Sequence, residues 1–158
     1  MSVRIPEVGW AKIEARNIPC REIGGDFYDV VTTPEGIALI VCDVCGKGVP
    51  AALLASILQG MLYSNLTAGM SLKDLAASAN RFLCERDLSE KYATMVVVRL
   101  DPQGNAEYIN CGQVSPVVIH DNNVTRPEVA NIPVGMMAKA TFVTGTFLLP
   151  KEIGRAHV

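Results

Sequence analysis

Residues 24–48 read Gly24-Gly25-Asp26-Phe27-Tyr28-Asp29-Val30-Val31-Thr32-Thr33-Pro34-Glu35-Gly36-Ile37-Ala38-Leu39-Ile40-Val41-Cys42-Asp43-Val44-Cys45-Gly46-Lys47-Gly48. Two apolar, β-branched runs flank a Pro-Glu-Gly turn, which predicts a hairpin of strands over Asp26–Thr33 and Ile37–Val44. The second run is apolar enough for a central strand buried on both faces. Asp26 opens one strand and Asp43 closes the other, so the hairpin brings both to the same edge of the sheet. A carboxylate at the tip of an apolar strand is costly to keep unless it binds something. Two that converge beside glycine-opened backbone suggest hard divalent cations and metal-assisted phosphate chemistry.

The rest of the composition narrows the setting. At 158 residues the chain is one domain, long enough to bury roughly 68–70% of its unfolded surface. A hydrophobic content of 49% suits a packed globule. The net charge of −2 comes with no Lys/Arg run, which argues against nucleic acid as the main partner. No apolar stretch is expected to reach the roughly 20 residues of a membrane helix. The start, MSVRIPEVGW, lacks the apolar core of a signal peptide. A cytoplasmic domain is the expectation.

The five cysteines, Cys20, Cys42, Cys45, Cys84 and Cys111, are odd in number and scattered among apolar residues, as for reduced, buried thiols. Cys42 and Cys45 form a C-x-x-C, but no second pair and no paired histidine completes a zinc site. Thiol redox chemistry places such a pair at a helix N-terminus, whereas Cys42 lies inside a strand.

Outward from the hairpin, alternation at Ile13 and Ala15 predicts a first strand over about Trp10–Asn17. From Pro50 the period becomes helical through Ala51, Leu53, Leu54, Ile57, Leu58, Met61 and Leu62. This helix is apolar nearly all round and is expected to be buried. Gly69 ends it. Ser71 then offers an N-cap with Asp74 three residues on, opening a second helix whose stripe of Leu72, Leu75, Ala76, Ala79, Phe82 and Leu83 ends near Asp87. Strands follow over about Ala93–Leu100, Ala106–Cys111, Val117–His120 and Thr141–Leu149, the first two joined by the turn Asp101-Pro102-Gln103-Gly104-Asn105. The order predicts an α+β fold with antiparallel sheet and helices on a face.

At the aspartates, magnesium or manganese takes about six oxygens, largely carboxylates and waters. Asp26 and Asp43 supply carboxylates, and the Val44 carbonyl can add an oxygen where the backbone leaves its strand. Gly46-Lys47-Gly48, at the entrance to a helix, presents free N–H groups and a positive dipole end that favour an anion. The plainer readings are caps or turn residues for the aspartates, turn glycines, and a solvated loop lysine at Lys47. A nucleotide-binding P-loop fails, because Val41 stands where its first glycine belongs and no Ser/Thr follows Lys47.

The run from Ala15 through Arg16-Asn17-Ile18-Pro19-Cys20-Arg21-Glu22-Ile23 to Gly24-Gly25-Asp26-Phe27-Tyr28-Asp29 resembles the first motif of the SpoIIE-like (RsbU-like) branch of the PPM-type metal-dependent protein phosphatases. Asp43-Val44-Cys45-Gly46-Lys47-Gly48 with Pro50-Ala51-Ala52-Leu53 resembles its second. Thr94-Met95, Asn110-Cys111-Gly112 with Pro116, and Pro133-Val134-Gly135 extend the likeness over about Ala11–Leu149. The resemblance implies an αββα sandwich, incomplete at the C-terminus, whose two Mn or Mg ions activate a water that attacks phosphorus directly. It implies that Asp43 bridges the metals, that Asp26 and the Val44 carbonyl ligate the second, and that no side chain is the nucleophile. Phosphoserine or phosphothreonine on STAS-type anti-sigma-factor antagonists is the implied substrate. The helix after Gly48 resembles the element through which regulatory domains act, and Asp29 reads as structural.

The chain also departs from that pattern. Gln113 stands where many relatives carry histidine, and the later Asp-Gly and Asp-Asp motifs are absent. Residues 152–158 end in Ile-Gly-Arg-Ala-His-Val, which matches an in-frame translation of a sequencing adapter. The expectation is a partial phosphatase domain over 1–151, a non-native tail over 152–158, a natural protein that continues, and an upstream sensor or regulatory segment. With about half the carboxylate ligands, the chain is expected to be poorly stable and nearly inactive. The alternative is a degenerate, non-catalytic module that holds a signalling partner.

Overall fold

The computed structural model describes residues 5–17, 24–85, 91–120, 123–149 and 155–157. Strands β1 (Asp26–Thr33) and β2 (Gly36–Val44) form the expected hairpin, followed by helices α1 (Gly48–Thr67) and α2 (Leu72–Glu85). Strands β3 (Ala93–Leu100), β4 (Asn105–Cys111), β5 (Val117–His120), β6 (Asn123–Thr125), β7 (Gly145–Leu148) and β8 (Arg155–His157) complete the order. One antiparallel sheet runs β1-β2-β3-β4-β7, and a smaller one runs β6-β5-β8. The fold is α+β with antiparallel sheets and helices packed on the outside.

Side-chain alternation gives the large sheet two apolar faces. Val31, Ala38, Ile40, Val97 and Ile109 meet Leu58, Leu62, Leu75 and Leu83 of the helices. On the opposite face Ile37, Val96, Val98 and Tyr108 pack with Val8, Ile13 and Val129. The Tyr108 hydroxyl accepts a hydrogen bond from the Val129 backbone at 2.8 Å, so that ring spends its polar end as well as its area. The capping box of α2 forms as expected: the Ser71 hydroxyl accepts from the Asp74 N–H at 3.1 Å and donates to its carboxylate at 2.6 Å. The end of α2 near Asp87 lies outside the described residues.

Four expectations need correction. Trp10–Asn17 is not a strand; it contributes only an isolated bridge between Val8 and Ala11. Alternation buys Ile13 an apolar contact, but a strand also needs a ladder partner, and none is found there among the described residues. The last large-sheet strand starts at Gly145 rather than Thr141, because Asn131 draws Val143 aside, accepting from its N–H at 2.8 Å and donating to its carbonyl at 3.0 Å. Helix α1 is not buried all round. Ala51, Leu54, Ala55, Leu58, Leu62 and Leu66 face the core, while Val49, Leu53, Ile57 and Tyr63 are each more than half exposed. One sheet and one neighbouring helix cover only one side of a cylinder. Finally, Gly48–Thr67 is, by length and composition, long and apolar enough to cross a membrane, although its inner face is built into the core.

Candidate functional site

The hairpin register pairs Asp26 with Asp43, and the next ladder pairs Asp43 with Thr94. Asp43 alternates from Val41 and Thr94 from Val96, so these three lie on the face away from the helices, in a row across the sheet's end. Directly opposed side chains stand about 4.5–5.5 Å apart at Cβ. Tertiary structure adds Gln113, whose Nε2 donates to the Thr94 hydroxyl at 3.4 Å. The turn carrying it is held by buried Asn110, whose Oδ1 accepts from the Gln113 N–H and whose Nδ2 donates to its carbonyl, both at 2.9 Å. The Val114 N–H donates to Gln113 Oε1 at 2.9 Å, which fixes which end of the carboxamide faces Thr94.

Asp43 is raised above the usual carboxylate range, first by partial loss of water, then by a hydrogen bond and like charge from Asp26. The like charge of Asp26 disfavours the ionised form of Asp43. A divalent cation held by Asp26 and Asp43 would offset that repulsion. The backbone fits the same purpose: a Cβ at Gly25 would stand 2.5 Å from the Val44 carbonyl oxygen, so only glycine lets that carbonyl lie there. The residues present therefore fit a hard cation in part. Among the described residues, no group of three or more His, Cys, Asp and Glu side chains gathers to hold a metal.

Beyond Val44 the chain turns through Gly46 at φ 121° and Gly48 at φ 69°, both left-handed and favourable to glycine. Lys47 is the N-cap of α1, with no side-chain cap and no acidic residue in the first turn. The first N–H groups of this helix are thus left for an anion or water. The loop is pinned to the start of β3 by the Cys45 N–H, which donates to the Tyr92 carbonyl at 2.9 Å. Lys91 brings its ammonium over the same turn, 3.0 Å from where a Cβ on Gly46 would sit. The sequence alone does not mark Lys91, Thr94 or Gln113 as site residues. Thr94 opens Thr94-Met95 and Gln113 follows Asn110-Cys111-Gly112, but their placement near the aspartates depends on strand order.

The other noted residues hold structure. Asp29 accepts from the Val30 N–H at 2.8 Å and from Gln59 Nε2 of α1 at 2.9 Å. Cys42, Cys45, Cys84 and Cys111 are free thiols; burial pushes Cys42 far up and Cys111 up to about 12. Cys20 lies outside the described residues. A cleft of about 590 Å³ lined by Glu35, Arg99, Asp101 and Phe147 sits at the opposite end of the sheet, away from the aspartates.

Comparison with known proteins agrees with this architecture. Residues 33–152 match the family model of stage II sporulation protein E. The chain is 27% identical to phosphoserine phosphatase RsbU of Bacillus subtilis over 60% of its length, and spans 28% of that protein. The solved RsbU and RsbW domains of Rv1364c from Mycobacterium tuberculosis superpose with a TM-score of 0.71 at 26% identity, covering 83% of this chain and 38% of that one. The PP2C phosphatase domain of SpoIIE from Bacillus subtilis gives 0.67 at 21% identity, over 80% and 38% of the two chains, a likeness of fold. The chain belongs to the family of stage II sporulation protein E.

Proposed function

We propose that this chain is part of the catalytic unit of a cytoplasmic, metal-dependent phosphatase that removes phosphate from phosphoserine or phosphothreonine on a signalling protein, a STAS-type anti-sigma-factor antagonist. The observation that carries this reading is the register that sets Asp26 against Asp43 at an open sheet end. Asp26, Asp43 and the Val44 carbonyl would hold manganese or magnesium. Bound there, such ions polarise phosphoryl oxygens and generate a strong oxygen nucleophile near neutral pH.

The chain's own residues supply the rest. The N–H groups at Gly46, Lys47 and Gly48, with the ammonium of Lys47 and that of Lys91, favour the phosphoryl dianion at the mouth of α1. The Asp29–Gln59 hydrogen bond keeps α1, and hence that mouth, in place over β1. The exposed outer face of α1 is where an upstream sensor or regulatory domain would act.

Manganese titration of the 158-residue chain, followed by calorimetry, tests the reading. Weak binding is expected, because two carboxylates and a carbonyl supply about half of a two-ion ligand set. Asp43→Asn should abolish it, and slow release of phosphate from a phosphoserine-bearing STAS domain should vanish in the same variant. Undiminished manganese binding by Asp43→Asn would overturn the assignment.

A second reading, a non-catalytic module that grips a signalling partner, is favoured by the absence of a third acidic ligand among the described residues. It predicts that the chain binds a STAS domain with no phosphate release at any manganese concentration.

A further inference from the structure

We infer that Thr94 is a positioning residue for the Asp43 carboxylate, and that Gln113 sets the direction of its hydroxyl; this rests on the two-carboxylate reading above. Thr94 is the residue directly across the ladder from Asp43. It shares that face with Val96 and Val98 and sits half-buried at the sheet's end. A β-branched residue has few χ1 wells in a strand, so its hydroxyl has few places to point.

Gln113 restricts it further. The carboxamide cannot turn over without breaking the Val114 N–H bond to Oε1, so Nε2 remains the group facing Thr94. The hydroxyl oxygen therefore accepts, and its proton is left to be donated elsewhere. The neighbouring acceptor across the ladder is the Asp43 carboxylate. On its other side Asp43 is paired with Asp26 across the hairpin. Once both carboxylates are committed to a cation, Thr94 is the donor placed to hold the one on Asp43 from outside. A ligating carboxylate held by an outer hydrogen bond is a better ligand, and loss of such a partner costs about 10–100-fold in metal affinity.

Asn110 is the foundation of this chain of contacts. It is 1% exposed, and its carboxamide braces the Gln113 backbone on both sides. Its own carbonyl accepts from the Asn131 N–H at 2.7 Å and from Asn131 Nδ2 at 3.1 Å. The Gln113 turn is thus fixed from the sheet side, which is why a glutamine there can act as an orienting group rather than as a loop side chain in water.

Calorimetric titration of manganese into the 158-residue chain and its variants, with melting curves in EDTA, decides it. Thr94→Val should weaken manganese about tenfold or more while leaving the metal-free melting temperature within about 2 °C. Thr94→Ser should restore affinity to within about threefold, since it returns the hydroxyl and not the methyl. Gln113→Met, which does not touch the strand interior, should weaken binding by a smaller factor and keeps the test open if Thr94→Val fails to fold. Wild-type affinity in both Thr94→Val and Gln113→Met, with binding lost in Asp43→Asn, would overturn the positioning role alone. Binding retained in Asp43→Asn, or absent in the unaltered chain, would remove the two-carboxylate reading and this inference with it.

Discussion

The two ends of the large sheet carry similar numbers of charged residues and treat them in opposite ways. At the far end Arg99, with its side chain 11% exposed, lies 3.4 Å from Glu35 and 3.9 Å from Glu107, and also donates to the Met70 carbonyl. Nearby Asp101 accepts from the Asn105 side chain and from the N–H groups of Gln103 and Asn105, all within 2.9 Å. At the other end Asp26 and Asp43 face each other, with no cation bonded to either among the described residues. The electrostatics follow: Asn105 and the turn's amides hold Asp101 below the usual carboxylate range, whereas lost hydration and Asp26 hold Asp43 above it. Compensated carboxylates stabilise a turn; uncompensated ones are kept at a stability cost, which makes such a pair a candidate binding site.

Four measurements test this contrast, the first with the greatest change and the last with the least. Asp43→Asn should reduce manganese affinity by more than the roughly 100-fold that an outer-shell loss can cause, read by calorimetry. In EDTA the same variant should melt no lower than the wild type. Arg99→Ala should instead cost about 1–3 kcal/mol in urea unfolding, because it strips a nearly buried donor from the Met70 carbonyl and leaves two carboxylates together. It should leave manganese affinity unchanged; a loss of binding there would erase the distinction between the ends.

The third change is in pH dependence, measured by melting in EDTA. Asp43 binds its proton more tightly in the fold than in the unfolded chain. Its contribution is therefore present below the unfolded value of about 3.9 and lost as pH rises through the raised folded value. Asp101 has the opposite sign: its contribution is present above the unfolded value and lost as pH falls through the lowered folded one. Asp43→Asn should flatten the decline on the neutral side and Asp101→Asn the decline on the acid side. Identical profiles for the two variants would show that the ends do not differ in this way. The smallest effect belongs to Leu53→Ser on the outer face of α1, 61% exposed, which should change unfolding free energy by no more than about 0.5 kcal/mol.

Much of this was legible in the chain. Local chemistry is enough for the hairpin, since a Pro-Glu-Gly turn between two β-branched runs fixes both strands and the register between them. It is enough for α2, where Ser71 and Asp74 sit at capping-box spacing ahead of a regular apolar stripe. It misled over Trp10–Asn17, because alternation reports which side chains are buried and not whether a neighbouring strand is there to pair. It misled over α1, because an all-apolar helix says that burial is favourable and not how much cover the fold provides.

The pair Asp26 and Asp43, with the glycines around it, is encoded locally in the chain. Their separation is bridged by one tight turn, so no distant part of the chain is needed to bring them together. The company they keep depends on long-range packing. Thr94 stands opposite Asp43 because β3 pairs with β2 after an excursion through two helices, and Gln113 reaches Thr94 because a buried Asn110 braces the turn beyond β4. Those contacts join residues far apart in the chain, and their cost in loop closure is met by the packing of the sheet as a whole, which no local pattern encodes.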